Sequence, residues 1–353
     1  MEGLFKLLPD LVKKKVSDIH IHPGEVCFIR KYGSLEPLTG ISFTEDEVKK
    51  LILGTSSPRA REILGKSRQV AYAFEEKGLG RFRFSVFFAK NKFSVAIRVI
   101  PDKPPTLLDL GLPDVLKKVL SKSSGLVIVG SPSGHGKTTT IASLLGFLNS
   151  HFEKSVVTIE NPVEIRFRDE MSTFVQRSIP LDVSNFYQGL VEAYRLYPDV
   201  VMTDSINYND AFDQALFLCE SGCLVIAATD GGSCQQILER LICSRPKEER
   251  DSLRGKLASQ LALIISQRLA PRNGMLGRTP VFDILVNTNQ VKTLIRNENL
   301  VMLKTLQEQD QASGMQTCDG HLLSLAQKGV ISSETAVALA DEPQEMQMRF
   351  PKK

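Results

Sequence analysis

Leu126-Val127-Ile128-Val129-Gly130 runs straight into Ser131-Pro132-Ser133-Gly134-His135 and then Gly136-Lys137-Thr138-Thr139. The apolar run is too short for a buried helix, and the Ser, Pro and Gly that follow break regular structure, so a buried strand must hand over to a helix through a tight loop. That order is the layout of a phosphate-binding loop. The first turn of the following helix has unpaired N–H groups and a positive dipole end, and both converge on an anion. Ser133, Gly134, His135, Gly136, Lys137, Thr138 and Thr139 form the expected cradle. Lys137 is expected to reach the β/γ-phosphates and the Thr138 hydroxyl to ligate Mg²⁺. The first glycine of the pattern is replaced by Ser131. A serine makes the same turn provided its φ stays negative. An ordinary glycine-rich turn is the alternative, and the strand before it with Gly-Lys-Thr-Thr after it weighs against that.

With 353 residues the chain is long enough for two or three domains. A composition of 42% hydrophobic and 24% charged residues is that of a soluble globular chain with proper cores. The net charge of +4 comes from dispersed basic residues, so no nucleic acid partner is expected. No apolar run approaches the roughly 18 residues of a membrane span, which argues against membrane insertion. The start of the chain lacks a secretory h-region and cleavage site. Cys27, Cys219, Cys223, Cys234, Cys243 and Cys318 show no C-x-x-C or zinc spacing and read as reduced thiols of a cytosolic protein.

Leu4, Leu7, Leu8, Leu11 and Val12 form a helical stripe in residues 1–16. Strand-like alternation follows at Asp18–His22 and Val26–Arg30, separated by Pro23-Gly24. His20 and His22 share a strand face, but with no third ligand nearby a structural role outweighs a metal pair. Thr44-x-x-Glu47 fits a capping box for a helix running to about Leu53. Gly80–Phe88 and Phe93–Ile100 read as a hairpin turning at Ala89-Lys90-Asn91-Lys92. Pro101-Asp102-Lys103-Pro104-Pro105 can continue neither a strand nor a helix. A helix near Pro113–Lys122 then precedes the phosphate loop, and apolar strands recur at Val156–Glu160, Val200–Thr203, Leu224–Ala228 and Val281–Val286 with helices between. Such strands predict a mainly parallel sheet with its ligand site at their carboxyl ends. The pattern is helical from about Gly314 and ends in a polar stretch, Asp341–Lys353, with little to pack. The expected fold class is α/β: an α+β domain over 1–100, a linker over 101–112, a phosphate-loop domain with a helical C-terminal part over 113–340, and a polar tail over 341–353.

Several segments together resemble the PilT-type ATPases that retract type IV pili in twitching motility, a branch of the secretion-ATPase superfamily. They are the opening helix, Ser17-Asp18-Ile19-His20, Arg81-Phe82-Arg83, the phosphate loop, Thr158-Ile159-Glu160-Asn161-Pro162-Val163-Glu164 and Gln176-Arg177. Tyr197-Pro198-Asp199, Glu220-Ser221-Gly222 and Gly314-Met315-Gln316-Thr317 complete the series across nearly the whole chain. The resemblance implies a PAS-like N-terminal domain and a RecA-like motor domain. It also implies ATP and Mg²⁺ as ligands and a hexameric ring with ATP at the subunit junctions. A cytoplasmic location follows, either free or peripheral at the inner membrane through a pilus machine and its inner-membrane platform protein. Glu160 and Glu164 match the glutamates of the family's acidic box, whose Asp is here Asn161, and the resemblance makes them candidate catalytic carboxylates.

Other family positions are substituted. Ser205 stands where a glutamate orients the attacking water, and a neutral hydroxyl is a poor general base. The two histidines of the family's histidine box fall at Cys223 and Asp230, and a carboxylate near a γ-phosphate repels it. The arginine expected to reach a neighbour's nucleotide is Asn91, flanked by Lys90 and Lys92. Asp204, following an apolar strand, is a candidate Mg²⁺-holding and catalytic carboxylate, with a turn-capping role as the alternative. These changes favour a subunit that binds nucleotide but hydrolyses it weakly, as a homo-hexamer or in a mixed ring with an active paralogue. An active retraction motor is the alternative. A module without nucleotide is disfavoured by the intact Gly136-Lys137-Thr138.

Overall fold

A computed structural model of the chain describes residues 2–101 and 103–350, with side chains from residue 7 onward. Leu4 of the helical stripe, Asp102 of the proline-rich segment and residues 351–353 of the predicted tail therefore lie outside the described side chains or residues. Two compact units emerge. The first comprises the chain up to Pro104 with Ile159–Phe167 and Gln176–Asn185, and the second holds the remainder.

The first unit carries a six-stranded antiparallel sheet in the order β3-β2-β1-β6-β5-β4. Its strands are β1 (Val16–Ile21), β2 (Val26–Lys31), β3 (Ser34–Ser42), β4 (Gln69–Glu76), β5 (Gly80–Ala89) and β6 (Lys92–Ile100). Period-two burial puts Phe82, Phe84 and Val86 of β5 into the core, where Phe84 stacks on Tyr72 at 5.6 Å. The opening helix Glu2–Lys13 delivers Leu8 and Leu11 to the same core. The β5–β6 hairpin turns on Lys90 and Asn91 with φ of 50° and 61°. Two successive positive φ values match the right-handed strand twist, so a two-residue turn closes the pair. The capping box is present: Thr44 accepts from the Glu47 N–H, and Glu47 accepts from the Thr44 N–H at 2.8 Å. His22 Nδ1 lies 3.0 Å from Ser94 Oγ, a structural contact.

A seven-stranded sheet in the order β13-β12-β7-β11-β10-β8-β9 belongs to the second unit except for the last residues of β8 and β9, which count with the first. These strands are β7 (Gly125–Gly130), β8 (Ser155–Glu160), β9 (Thr173–Ser178), β10 (Val200–Thr203), β11 (Leu224–Thr229), β12 (Leu261–Pro271) and β13 (Arg278–Val286). Every residue of β7, β10 and β11 is buried, as strands covered on both faces must be. β7 pairs in parallel with β11 and β12, and β10 with β11, while β13 runs antiparallel on β12. The fold is thus α/β with an antiparallel N-terminal sheet and a mainly parallel second one.

One expectation is corrected. The stretch predicted to have little to pack contains a helix, Pro343–Met348, and its Met346 is buried with Cys318, Leu322, Ile331 and Ala336. Met346 and the partly buried Phe350 dock a segment that is otherwise polar.

His321 beside this cluster accepts the Phe282 N–H at Nδ1, 3.0 Å away. Burial is the main cause that pushes its pKa down from the ordinary 6.5 to about 4. The folded chain therefore holds it neutral, while the unfolded chain takes up a proton below 6.5. Its contribution to stability is complete above 6.5 and is lost as pH falls toward 4. Urea midpoints measured at about pH 7 and about pH 5 are expected to fall more for the native chain than for His321→Asn.

Candidate functional site

The phosphate loop leaves the carboxyl end of β7 and enters the helix Lys137–His151. Ser131 is fully buried and is not among the residues with positive φ, so the missing glycine costs the turn nothing. Gly136 is different. It caps the helix at φ +89°, and a Cβ there would meet Gln267 Nε2 at 2.6 Å. No side chain caps this helix, which leaves the first-turn N–H groups of Lys137, Thr138 and Thr139 facing outward for an anion. Ser133 and Gly134 are exposed and His135 to Thr139 half-buried. The residues present therefore fit a phosphate group.

The loop is stitched to β12 at two points. Gln267 is buried; its Nε2 donates to the His135 carbonyl at 2.7 Å, and its Oε1 accepts from Thr140 Oγ1. The Leu269 N–H donates to His135 Nδ1 at 3.0 Å. That acceptor role requires the neutral Nε2–H tautomer, and burial with Arg278 and Arg268 nearby lowers the ring's pKa accordingly. Neither contact was visible in the sequence, because β12 itself was not.

Lys137 is engaged on all sides. Its ammonium donates to the Ser131 carbonyl and the Thr229 carbonyl, each at 3.0 Å, and to Asp230 Oδ1 at 2.5 Å. The second Asp230 oxygen accepts from Asn207 Nδ2 at 3.0 Å. Asn207 Oδ1 in turn accepts from Arg240 Nη2 at 3.0 Å and from Thr229 Oγ1 at 2.9 Å. Arg240 also bonds Thr229 Oγ1. Partial burial works against a charged Asp230, but its bond to Lys137 and the Lys137 and Arg240 charges hold its carboxyl below the usual range.

Ser205 belongs to this cluster. It is buried, and its Oγ accepts the Asn207 N–H at 3.2 Å, a local turn that aims the Asn207 side chain. Asp204 is half-buried directly after β10, two strands from β7 in the sheet order. Cys223 is elsewhere. It precedes β11 at its amino end, donates its thiol to the Pro198 carbonyl and lies about 20 Å of strand away from Asp230. Glu160 and Glu164 belong to the first unit. There Glu160 accepts from Gln176 Nε2 at 3.1 Å, and Glu164 pairs with Arg83 at 2.8 Å. Arg81 braces the same turn through the carbonyls of Val163 and Glu164. Asn91 stands exposed at its hairpin tip. Asn207, Arg240 and Gln267 are site residues that pattern reading passed over, since Asn, Gln and a lone Arg carry no spacing signal.

The model of the type II/IV secretion system protein family matches residues 2–336. The chain belongs to that family. Among its relatives, the type IV pilus ATPase PilU of Pseudomonas aeruginosa is 31% identical over 343 residues, covering 97% of this chain and 90% of PilU. The type IV pilus retraction ATPase PilT of the same organism is 30% identical over 339 residues, covering 96% of this chain and 98% of PilT. The crystal structure of the pilus retraction motor PilT with bound ADP matches with a TM-score of 0.85 and 29% identity, over 98% of this chain and 99% of that one. The likeness to PilT read from the sequence motifs holds for this family member across nearly its full length.

The double stitch at Gln267 makes it the residue on which loop order depends. Removing it leaves the buried Thr140 hydroxyl and the His135 carbonyl unsatisfied, a cost of about 1–3 kcal/mol. Gln267→Ala is expected to lower the urea-derived unfolding free energy by about that amount and to speed amide exchange in the loop around Gly136. Unchanged exchange there would show that the loop is held by other contacts.

Proposed function

We propose that this chain is a nucleotide-binding subunit of a type IV pilus motor in which ATP binding is retained and hydrolysis is slow. The observation that carries the reading is Ser205: a buried hydroxyl committed to the Asn207 N–H occupies the place where the family resemblance puts a water-orienting glutamate. Nothing at that position can take a proton at neutral pH, and losing such a group costs about 10²–10⁴ in rate. Binding is supported by the uncapped helix start and by Gly136, whose missing Cβ keeps the loop closed on β12. Lys137 and the first-turn N–H groups would hold the phosphates. The Thr138 hydroxyl and the Asp204 carboxylate are hard oxygen donors suited to Mg²⁺, which when bound offsets phosphate charge. Glu160 and Glu164 are held by Gln176 and Arg83, so their contribution is to fix the turn that carries them.

In this reading residues 1–100 form the PAS-like domain, 101–112 the linker and 113–340 the RecA-like domain, followed by the docked helix Pro343–Met348. The chain works in a ring of its own copies or in a mixed ring with an active paralogue, on the cytoplasmic side of an inner-membrane pilus platform protein. No nucleic acid is involved, and no helix among the described residues is long and apolar enough to cross a membrane. Asp204 favours the second reading, an active retraction ATPase, because a carboxylate at a strand end can hold the metal and orient water.

Steady-state phosphate release separates the two. The isolated chain is expected to turn over well below the 1 s⁻¹ that marks the lower end of ordinary enzymes, roughly. Lys137→Ala is expected to abolish nucleotide binding, and Ser205→Glu to raise phosphate release about tenfold or more. Turnover of roughly 1–10 s⁻¹ by the native chain, lost in Lys137→Ala, would establish the active motor instead.

A further inference from the structure

A lysine ammonium has three protons. In Lys137 all three are taken, by two main-chain carbonyls and one carboxylate. The carbonyl of Thr229 ends β11, that of Ser131 follows β7, and both are neutral main-chain acceptors. The Asp230 contact is the one ion pair of the three. That carboxylate is not a loose surface group: Asn207 holds its second oxygen at 3.0 Å and accepts its own N–H at 3.4 Å. Arg240 and Ser205 fix Asn207 in turn. The site therefore presents a positioned anion to the one cation of the loop.

We infer that the site is built for a nucleoside diphosphate in preference to a triphosphate, with Asp230 occupying the place on Lys137 that a terminal phosphate would claim. This rests on the nucleotide-binding reading above. The α- and β-phosphates of a diphosphate are served by the loop's N–H groups, which Asp230 does not touch, and Lys137 reaches the β-phosphate by giving up a neutral carbonyl while it keeps Asp230. A third phosphate must take Lys137 from Asp230, breaking a charge-assisted bond, and then lie beside the displaced carboxylate. Asp230 is a specificity-determining residue, and Asn207 is the positioning residue behind it.

Calorimetric titration of the full chain with Mg-ADP and with a Mg-bound non-hydrolysable ATP analogue tests this. The native chain is expected to bind the diphosphate at least about tenfold more tightly than the triphosphate analogue. Asp230→Asn keeps the shape and the Asn207 contact but removes the charge. It is expected to raise triphosphate affinity about tenfold or more while moving diphosphate affinity less than about threefold. Asn207→Ala, which unclamps the carboxylate, is expected to move the same ratio in the same direction by about threefold, and it decides the matter if Asp230→Asn does not fold. Equal affinities in the native chain that neither variant changes would overturn this inference and leave nucleotide binding standing. Absence of binding by all three proteins would overturn the nucleotide-binding reading and this inference with it.

Discussion

The ends of the two central strands of the parallel sheet are tied together by one side chain. Register between β7 and β11 runs level, with Thr229 opposite Gly130, so the Thr229 carbonyl and the carbonyl of the next residue, Ser131, end up on two sides of the same point. The Lys137 ammonium fills that point. The geometry needs three things at once: a parallel register set by strands buried on both faces, a loop tight enough to return Lys137 to the strand it has just left, and a Gly136 without a Cβ where Gln267 presses in. Each is a backbone requirement, and together they explain why the loop keeps its shape although its first glycine is a serine.

Much of this was readable in advance. The loop residues Ser133 to Thr139 announce themselves by composition, the Thr44–Glu47 box by spacing, and the β5–β6 hairpin by its alternation. What escaped did so for physical reasons. β12 begins at Leu261 directly after the helix Lys247–Gln260, with no glycine or proline to mark the change from a period of 3.6 to one of 2. β3 is exposed along most of its length, so it lacks the apolar alternation by which a half-buried strand is recognised. Gln267, Asn207 and Arg240 act through contacts tens of residues away, which no local pattern encodes.

The substituted positions also change weight once they are placed. In the sequence, Asn91, Ser205, Cys223 and Asp230 look like four parallel losses. In space only Ser205 and Asp230 share a cluster. Cys223 sits at the far end of β11, buried, with its thiol pKa raised chiefly by desolvation, and it cannot sense what lies at the phosphate loop. Asn91 serves a turn whose positive φ an asparagine tolerates better than most residues. The case for altered phosphate chemistry is therefore narrower than a count of lost motifs suggests, and it is also more specific.

Ser205 and Asp230 are moreover not independent of each other. Both are bonded to Asn207, the first to its main chain and the second to its side chain. A glutamate at position 205 could not offer the short hydroxyl that fixes the Asn207 N–H, and Asn207 would then hold Asp230 less firmly. Conversely, a histidine at position 230 would leave Asn207 without its carboxylate partner and Lys137 without its counter-ion. Residues that share a partner do not contribute additively. The serine and the aspartate thus make one structural unit, in which the serine that leaves the end of β10 without a base fixes the asparagine that positions a negative charge at the end of β11.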